Sequence, residues 1–252
     1  MSALFDLTGR RAIVTGANRG IGFGMAEALA EAGADIIGVS SQMPASGSAI
    51  EEAVTAKGRS FHGISCDLSD SAATAVLAAE LRAAEADILV NNAGAILRAP
   101  AVEHPMEWFE RIVRIDLTSQ FALAQAVGAS MLERGRGKII FTASLLSFQG
   151  GINVPGYAAA KSGVAGLVKA LSNEWSGSGV NVNAIAPGYI ATDNTQQLRA
   201  DPDRSRAILD RIPAGRWGTA SDIGGATVFL ASAASDYVDG VVLPVDGGWL
   251  GR

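Results

Sequence analysis

Tyr157 and Lys161 stand four residues apart in an alanine-containing stretch that reads as a helix, so both side chains project from one face. Ser144 follows an apolar run, Lys138 to Ala143, that reads as a strand ending at the carboxyl edge where parallel sheets bind ligands. A phenol, an ammonium and a hydroxyl are the groups needed to give a proton to a carbonyl oxygen, or take one from an alcohol, while a hydride moves at the carbon. Free tyrosine has a pKa of about 10, so only about 0.1% is ionised at neutral pH, and lowering that value by about 3 units takes about 4 kcal/mol. A neighbouring cation supplies that kind of stabilisation, which gives Lys161 a task beside Tyr157. Ser144 is assigned to holding the substrate oxygen and steadying its developing charge. A Tyr/Lys pair at this spacing is common by chance, so its weight depends on what accompanies it.

The first accompaniment is Thr15-Gly16-Ala17-Asn18-Arg19-Gly20-Ile21-Gly22, set between the first strand-like run and the first helix-like one. In such a turn Gly16 permits the tight reversal, Gly20 lets the backbone approach a pyrophosphate and Gly22 lets the helix pack closely. The free N–H groups at the helix start, among them those of Gly20, Ile21 and Gly22, then face phosphate oxygens. With 30 glycines in the chain, glycine spacing alone is moderate evidence, and its place between strand and helix is what strengthens it. The bound group is then NAD or NADP, and Lys161 gains a second task, a hydrogen bond to the nicotinamide ribose. An acidic residue ending the second strand would hold a ribose diol and a basic one a 2′-phosphate. Ser40, Ser41 and Gln42 are neither, so the choice between NAD and NADP stays open. Arg19 either reaches a 2′-phosphate or stands solvated. Asp67, with Leu68 beside it, either receives the adenine amino group or caps its own loop. Asn91-Asn92-Ala93-Gly94, after the fourth strand, completes the set.

Positioning these groups takes an alternating scaffold. Short apolar runs at 11–15, 35–40, 60–65, 87–91, 138–143, 180–186 and 241–245 read as strands. Helical patterns at 21–32, 50–57, 69–85, 105–133, 154–175 and 221–231 separate them, with Gly33 ending the first and Ser69 or Asp70 capping the third. The expected fold is α/β, one domain with a doubly wound parallel sheet and helices on both faces. The polar stretch 188–219, with Pro202 and Pro213, breaks the alternation and reads as a substrate lid.

Composition narrows the field. The chain has 252 residues, 48% hydrophobic and 18% charged, ample for a core. A net charge of -5 without basic runs argues against nucleic acid as a partner. The single Cys66 excludes an intrachain disulfide and fits a reducing cytoplasm, and it reads as a small apolar residue near a strand end. The start MSALFDLTGRR lacks the pattern of a signal peptide. The charge-free span from Ile139 to Ala160 is interrupted by Gln149, Asn153 and Pro155, which argues against a membrane helix. His62 and His104 read as structural or surface residues, and no spacing suggests a metal.

Taken together, the glycine turn, Asn91 to Gly94, Ser144, Tyr157 with Lys161, and Pro187-Gly188 resemble the short-chain dehydrogenase/reductase family over essentially the whole chain. The resemblance implies that Asn92, Ala93 and Gly94 line the cofactor site and that Pro187, Gly188, Ile190 and Thr192 contact its nicotinamide side. It implies a homotetramer, in which the helices at 105–133 and 154–175 and the segment Val245 to Leu250 meet neighbouring subunits. One position departs from the pattern: Asp116 stands where the family often has an asparagine that holds a water chain to the lysine. An aspartate there still accepts a hydrogen bond, as a further catalytic-site residue, but adds a charge near Lys161.

The segments Leu146 to Gly151, Ala184 to Tyr189, Asn194 to Asp201 and Ile212 to Gly218 are similar to the family's branch of 2-dehydro-3-deoxy-D-gluconate and gluconate 5-dehydrogenases. That implies a sugar acid as the small-molecule substrate. A carboxylate needs a cationic or multi-donor partner. Arg98 is the first candidate, followed by Gln149 and Asn153, with Leu146, Ser144 and Tyr157 completing the substrate wall. Arg199, Arg204 and Arg206 follow as weaker candidates. Two other readings stand beside this one: a family reductase of a 3-oxoacyl thioester, cyclic ketone or steroid, and a non-catalytic NAD(P)-sensing protein.

Overall fold

A computed structural model describes residues 3–252, so Met1 and Ser2 of the N-terminal stretch lie outside the described residues. The seven strands are β1 (Arg11–Thr15), β2 (Asp35–Ser40), β3 (Phe61–Ser65), β4 (Ile88–Asn91), β5 (Gly137–Thr142), β6 (Val180–Pro187) and β7 (Val242–Val245). They form a single sheet in the order β3-β2-β1-β4-β5-β6-β7, every pair parallel. Successive strand residues face opposite sides. Ala12, Val14, Ile36, Ile88, Val90 and Ile140 are buried on one face, and Ile13, Ile37, Leu89, Ile139 and Phe141 on the other. Burial on both faces is why the strands read as unbroken apolar runs rather than as alternating ones.

One face carries α1 (Gly20–Glu31), α2 (Ala49–Thr55) and α9 (Ala220–Ala231). The other carries α3 (Ser71–Ala83), α5 (Ser119–Arg134) and α6 (Pro155–Trp175), with α4 (Met106–Val113) leading into α5. Asp70, one of the two expected caps, holds α3 by accepting from the Ala72 and Ala73 N–H groups at 2.8 and 3.2 Å. No helix among the described residues is long and apolar enough to cross a membrane.

The single helix expected over 105–133 is instead two helices joined by a π turn, Arg114–Thr118, in which the Ser119 N–H reaches the Arg114 carbonyl. The added residue turns Ile115 and Asp116 inward while Arg114 bonds Ser71 at the surface. A 3.6-residue period carries no mark of such an insertion, and π turns are common at functional sites.

Residues 188–219 contain two short helices, α7 (Gln196–Ala200) and α8 (Pro202–Leu209). The two ends of the segment are joined where Ile190 bridges Gly218: the Ala191 N–H donates to the Gly218 carbonyl at 2.8 Å and the Gly218 N–H to the Tyr189 carbonyl at 2.9 Å. Beneath it a third apolar cluster gathers Leu145, Ile208, Ile212 and Trp249, with Tyr189 and Trp217 packed alongside. Arg211 stacks 3.9 Å from the Trp249 ring, adding a cation–π contact.

Helices α1 and α9 pack so closely that a Cβ on Gly24 would lie 2.7 Å from the Ala220 carbonyl oxygen. Gly24→Val is expected to cost about 1–3 kcal/mol through overpacking. Chemical denaturation checks this, and an unchanged midpoint would contradict the packing described.

Candidate active site

The sheet order reverses between β1 and β4, and their carboxyl ends open a crevice there. Thr15, the last residue of β1, bridges it. Its hydroxyl oxygen accepts the N–H groups of both Asn92 and Ala93 at 2.9 Å, while the Asn92 side-chain amide donates to the Thr15 carbonyl at 2.9 Å. Thr142 at the end of β5 donates to the Asn92 side-chain oxygen at 3.3 Å, and Gln120 of α5 donates to the Ala93 carbonyl at 2.7 Å. The strand ends on both sides of the crevice are thus one hydrogen-bonded unit.

The glycine turn rises from it. Gly16 is left-handed, with φ +71°, and its N–H donates to the Val39 carbonyl at 2.7 Å. At Gly22 a Cβ would fall 2.4 Å from the Asn92 amide nitrogen and closer still to the Gly16 carbonyl, so no larger residue fits. Arg19 occupies the α1 N-cap without a side-chain capping bond, which leaves the first-turn N–H groups for a ligand. The turn is joined to the end of β2 by the Asn18 N–H donating to the Ser40 hydroxyl at 3.1 Å.

Lys161 is 2% exposed on α6 and donates to the Thr142 carbonyl at 2.8 Å. Its Nζ lies 5.5 Å from the Tyr157 ring centroid and 3.4 Å from Asp116 Oδ2. The other Asp116 oxygen accepts the Ala95 N–H at 2.9 Å. Burial pushes the Asp116 carboxyl up from its usual range, against the opposing pull of Lys161 and the Ala95 N–H. Ser144 begins a short turn in which its hydroxyl accepts the Leu146 N–H and its own N–H donates to Ser147. Ser147 donates onward to the Lys161 carbonyl at 2.7 Å, tying that turn to α6.

These features match known proteins along the whole chain. The family described as enoyl-(acyl carrier protein) reductase matches residues 16–250. The chain is 59% identical to the 2-dehydro-3-deoxy-D-gluconate 5-dehydrogenase of Pseudoalteromonas atlantica, with 98% of each covered. It is 55% identical to the Bacillus subtilis enzyme of the same name, over 98% of this chain and 97% of that one. It belongs to the short-chain dehydrogenases/reductases. Among solved structures, a candidate 2-deoxy-D-gluconate 3-dehydrogenase from Agrobacterium tumefaciens with bound NADP superposes with a TM-score of 0.94. It is 49% identical, and 99% of each chain is covered.

Within this short-chain dehydrogenase/reductase the expected site residues divide into groups. Asn92, Ala93, Tyr157, Lys161 and Asp116 are joined by the contacts above, and a Cβ on Gly94 would lie 2.9 Å from Asp116 Oδ2. Gly188 packs against Asp246, and the Thr192 methyl would be 3.5 Å from a Cβ on Gly20, so the start of the 188–219 segment sits over the glycine turn. There Arg19 pairs with Asp193 at 3.5 Å, both largely exposed. Asp67 accepts the Ser69 N–H at 2.9 Å, a bond that lowers its carboxyl below the usual range. The loop-capping role is therefore present in the structure. Leu68 is buried and lends its carbonyl to Ser119, and the backbone of Ser41 accepts a bond from Ser65. Burial pushes the Cys66 thiol up, away from reactivity.

Of the residues expected to face a substrate, Arg98, Asn153 and Arg204 line a cavity of about 210 Å³ with Ile152, Gln197, Leu198 and Asp201. Asn153 is left-handed, with φ +63°, and its carbonyl accepts the Ala99 N–H at 3.0 Å, which fixes the loop carrying Arg98. Gln149 and Leu146 lie outside that lining, on the turn after Ser144, and Arg199 donates to the Thr192 carbonyl instead. Thr15, Gln120, Thr142 and Ser147 escaped the sequence reading. The one mark Thr15 carried was its place before Gly16. Thr15→Val would strip two backbone N–H groups of their acceptor, at about 1–3 kcal/mol each. Thermal denaturation should show that loss, with NADP(H) binding about tenfold weaker by fluorescence titration.

Proposed function

We propose that this chain oxidises or reduces a sugar acid of the 2-dehydro-3-deoxy-D-gluconate type at a carbon bearing a secondary hydroxyl or ketone, using NAD(P). The observation that carries the reading is the buried Lys161 beside Tyr157, at the mouth of the crevice that holds the glycine turn. The relatives named for this substrate and the neighbour holding NADP support it. The left-handed backbone at Gly16 and Gly20, the close packing at Gly22 and the uncapped start of α1 suit a dinucleotide pyrophosphate. Bound NAD(P) supplies the hydride donor or acceptor.

Tyr157 is the proton-transferring group. In the oxidative direction its phenolate takes the proton of the substrate hydroxyl as the hydride leaves the same carbon, and in the reductive direction it returns one to the carbonyl oxygen. Lys161 favours the ionised phenol and bonds the nicotinamide ribose. Ser144 holds the substrate oxygen. Ser40, Ser41, Asp67, Leu68 and Arg19 serve the adenosine end, and Pro187, Gly188, Ile190 and Thr192 the nicotinamide end.

Residues 188–219 act as the lid over the substrate, with Leu146, Gln149 and Asn153 on the wall beneath. Arg98, assisted across the cavity by Arg204, receives the carboxylate. The chain works as a cytoplasmic homotetramer through α4–α5, α6 and the segment after β7. The exposed Met106 on α4 and Phe121 on α5 support that use of the first pair, and a monomer mass in light scattering would reject it.

The decisive assay follows absorbance at 340 nm with 2-dehydro-3-deoxy-D-gluconate, gluconate and simple ketones, each with NAD(H) and NADP(H). Turnover of a sugar acid is expected, and Tyr157→Phe should lower kcat by about 10²–10⁴. Turnover only of unrelated ketones would overturn the substrate. Arg98→Ala should raise KM for the sugar acid about tenfold, the loss of one charge-assisted bond, and leave KM for an uncharged ketone in place. An unchanged sugar-acid KM would reject that role.

A further inference from the structure

Asp116 carries no exposed surface and sits within the π turn between α4 and α5. Three helices pack on that turn: α4, α5 and α6. Their titratable side chains are otherwise directed elsewhere. Glu107, Glu110 and Arg111 on α4, Glu133 on α5, and Lys169 and Glu174 on α6 are exposed, and Arg134 on α5 bonds Ala86 and Asp87 at the opposite edge of the sheet. That leaves Lys161 facing it from α6, with the Tyr157 ring centroid 5.5 Å from the same ammonium. From the β4 loop comes the Ala95 N–H, and from β5 the Thr142 carbonyl that shares the Lys161 ammonium. Asp116 Oδ2 has no hydrogen-bond donor aligned on it, although Lys161 Nζ lies 3.4 Å away.

We propose that Asp116 is a positioning residue that sets the pH at which this site works. Its carboxylate holds the Lys161 ammonium, and its negative charge keeps the proton of the Tyr157–Lys161 couple bound to higher pH than an uncharged side chain would. The proposal rests on the reading of Tyr157 as the acid/base group.

The sign follows from charge counting. An ion pair buried away from water is screened little, so the negative charge of Asp116 offsets part of the positive charge that Lys161 presents to the phenol. Taking away the negative member leaves a more positive site, and a more positive site gives up a proton more readily. This holds whether that proton leaves the phenol or the ammonium, because removing a negative charge favours the deprotonated form of either. Asparagine in the same place keeps an oxygen for the Ala95 N–H, but it turns an NH2 toward Lys161 where Oδ2 stood, so the charge and that acceptor are lost together. The burial that raises the Asp116 carboxyl also means that it takes up a proton as pH falls before an exposed aspartate does. On the acid side, wild type then converges on the uncharged variant.

The test is the pH dependence of kcat/KM for alcohol oxidation in wild type, Asp116→Asn and Asp116→Glu, with the NADP(H) dissociation constant measured alongside. In Asp116→Asn the activating limb should move down by about one pH unit, while Asp116→Glu, which keeps the charge, stays nearer wild type. If Asp116→Asn does not fold, Asp116→Ser removes the same charge and keeps an acceptor. A limb that stays in place, or moves up, in the uncharged variant overturns the proposal, and so does an equal shift in Asp116→Glu. If Tyr157→Phe retains turnover, the acid/base reading itself fails and takes the proposal with it. If Tyr157→Phe is inactive and the limb is unmoved, only the role of Asp116 fails.

Discussion

Everything at the ligand-binding edge of this sheet depends on the hydroxyl of Thr15. It ends β1 at the point where strand order reverses, and it accepts two backbone N–H groups from the segment that follows β4 on the other side of the crevice. Without that oxygen the segment after β4 would have buried donors with no acceptor, a cost comparable to a sizeable part of a domain's net stability. With it, the Asn92 amide is aimed at Gly16 and Gly22, Thr142 is drawn to Asn92, and the carbonyl of Thr142 receives Lys161. The nucleotide turn and the ammonium beside the phenol are thus two ends of one hydrogen-bonded chain.

Lys161 shows why such a chain is needed. A buried ammonium is tolerated only when its donors are met and its charge is balanced. Thr142 meets the first need and Asp116 the second, and the Ala95 N–H holds Asp116 in turn. Lys161 is held here by satisfying a desolvated cation, and the π turn is the backbone departure that delivers the counter-charge.

The sheet was legible from the sequence because its central strands are buried on both faces and punctuated by helices, so they stood out as apolar runs, whereas the edge strands β3 and β7 are only partly buried. The glycine turn was legible because φ +71° at Gly16 and the absent space at Gly22 leave no alternative residue. The π turn was not, since the residues around Asp116 keep an ordinary helical pattern and the extra residue shows only in hydrogen bonding. Asp67 illustrates a different limit: one carboxylate next to a helix start suits a ligand and a loop equally, and only coordinates reveal the bond to Ser69. Gln120 and Ser147 were silent because a hydroxyl or amide acting on the backbone leaves no spacing rule behind, and Thr15 showed only its place before Gly16.

The bridge between Ile190 and Gly218 has a consequence for how such a protein diversifies. Because the two ends of residues 188–219 are fastened to each other, the points where the stretch leaves and rejoins the fold are held whatever lies between them. Replacing or lengthening that stretch adds only a slowly growing cost of loop closure and leaves the register of the sheet untouched. Lineages could therefore exchange this part as a cassette while inheriting the sheet and its glycine turn unchanged.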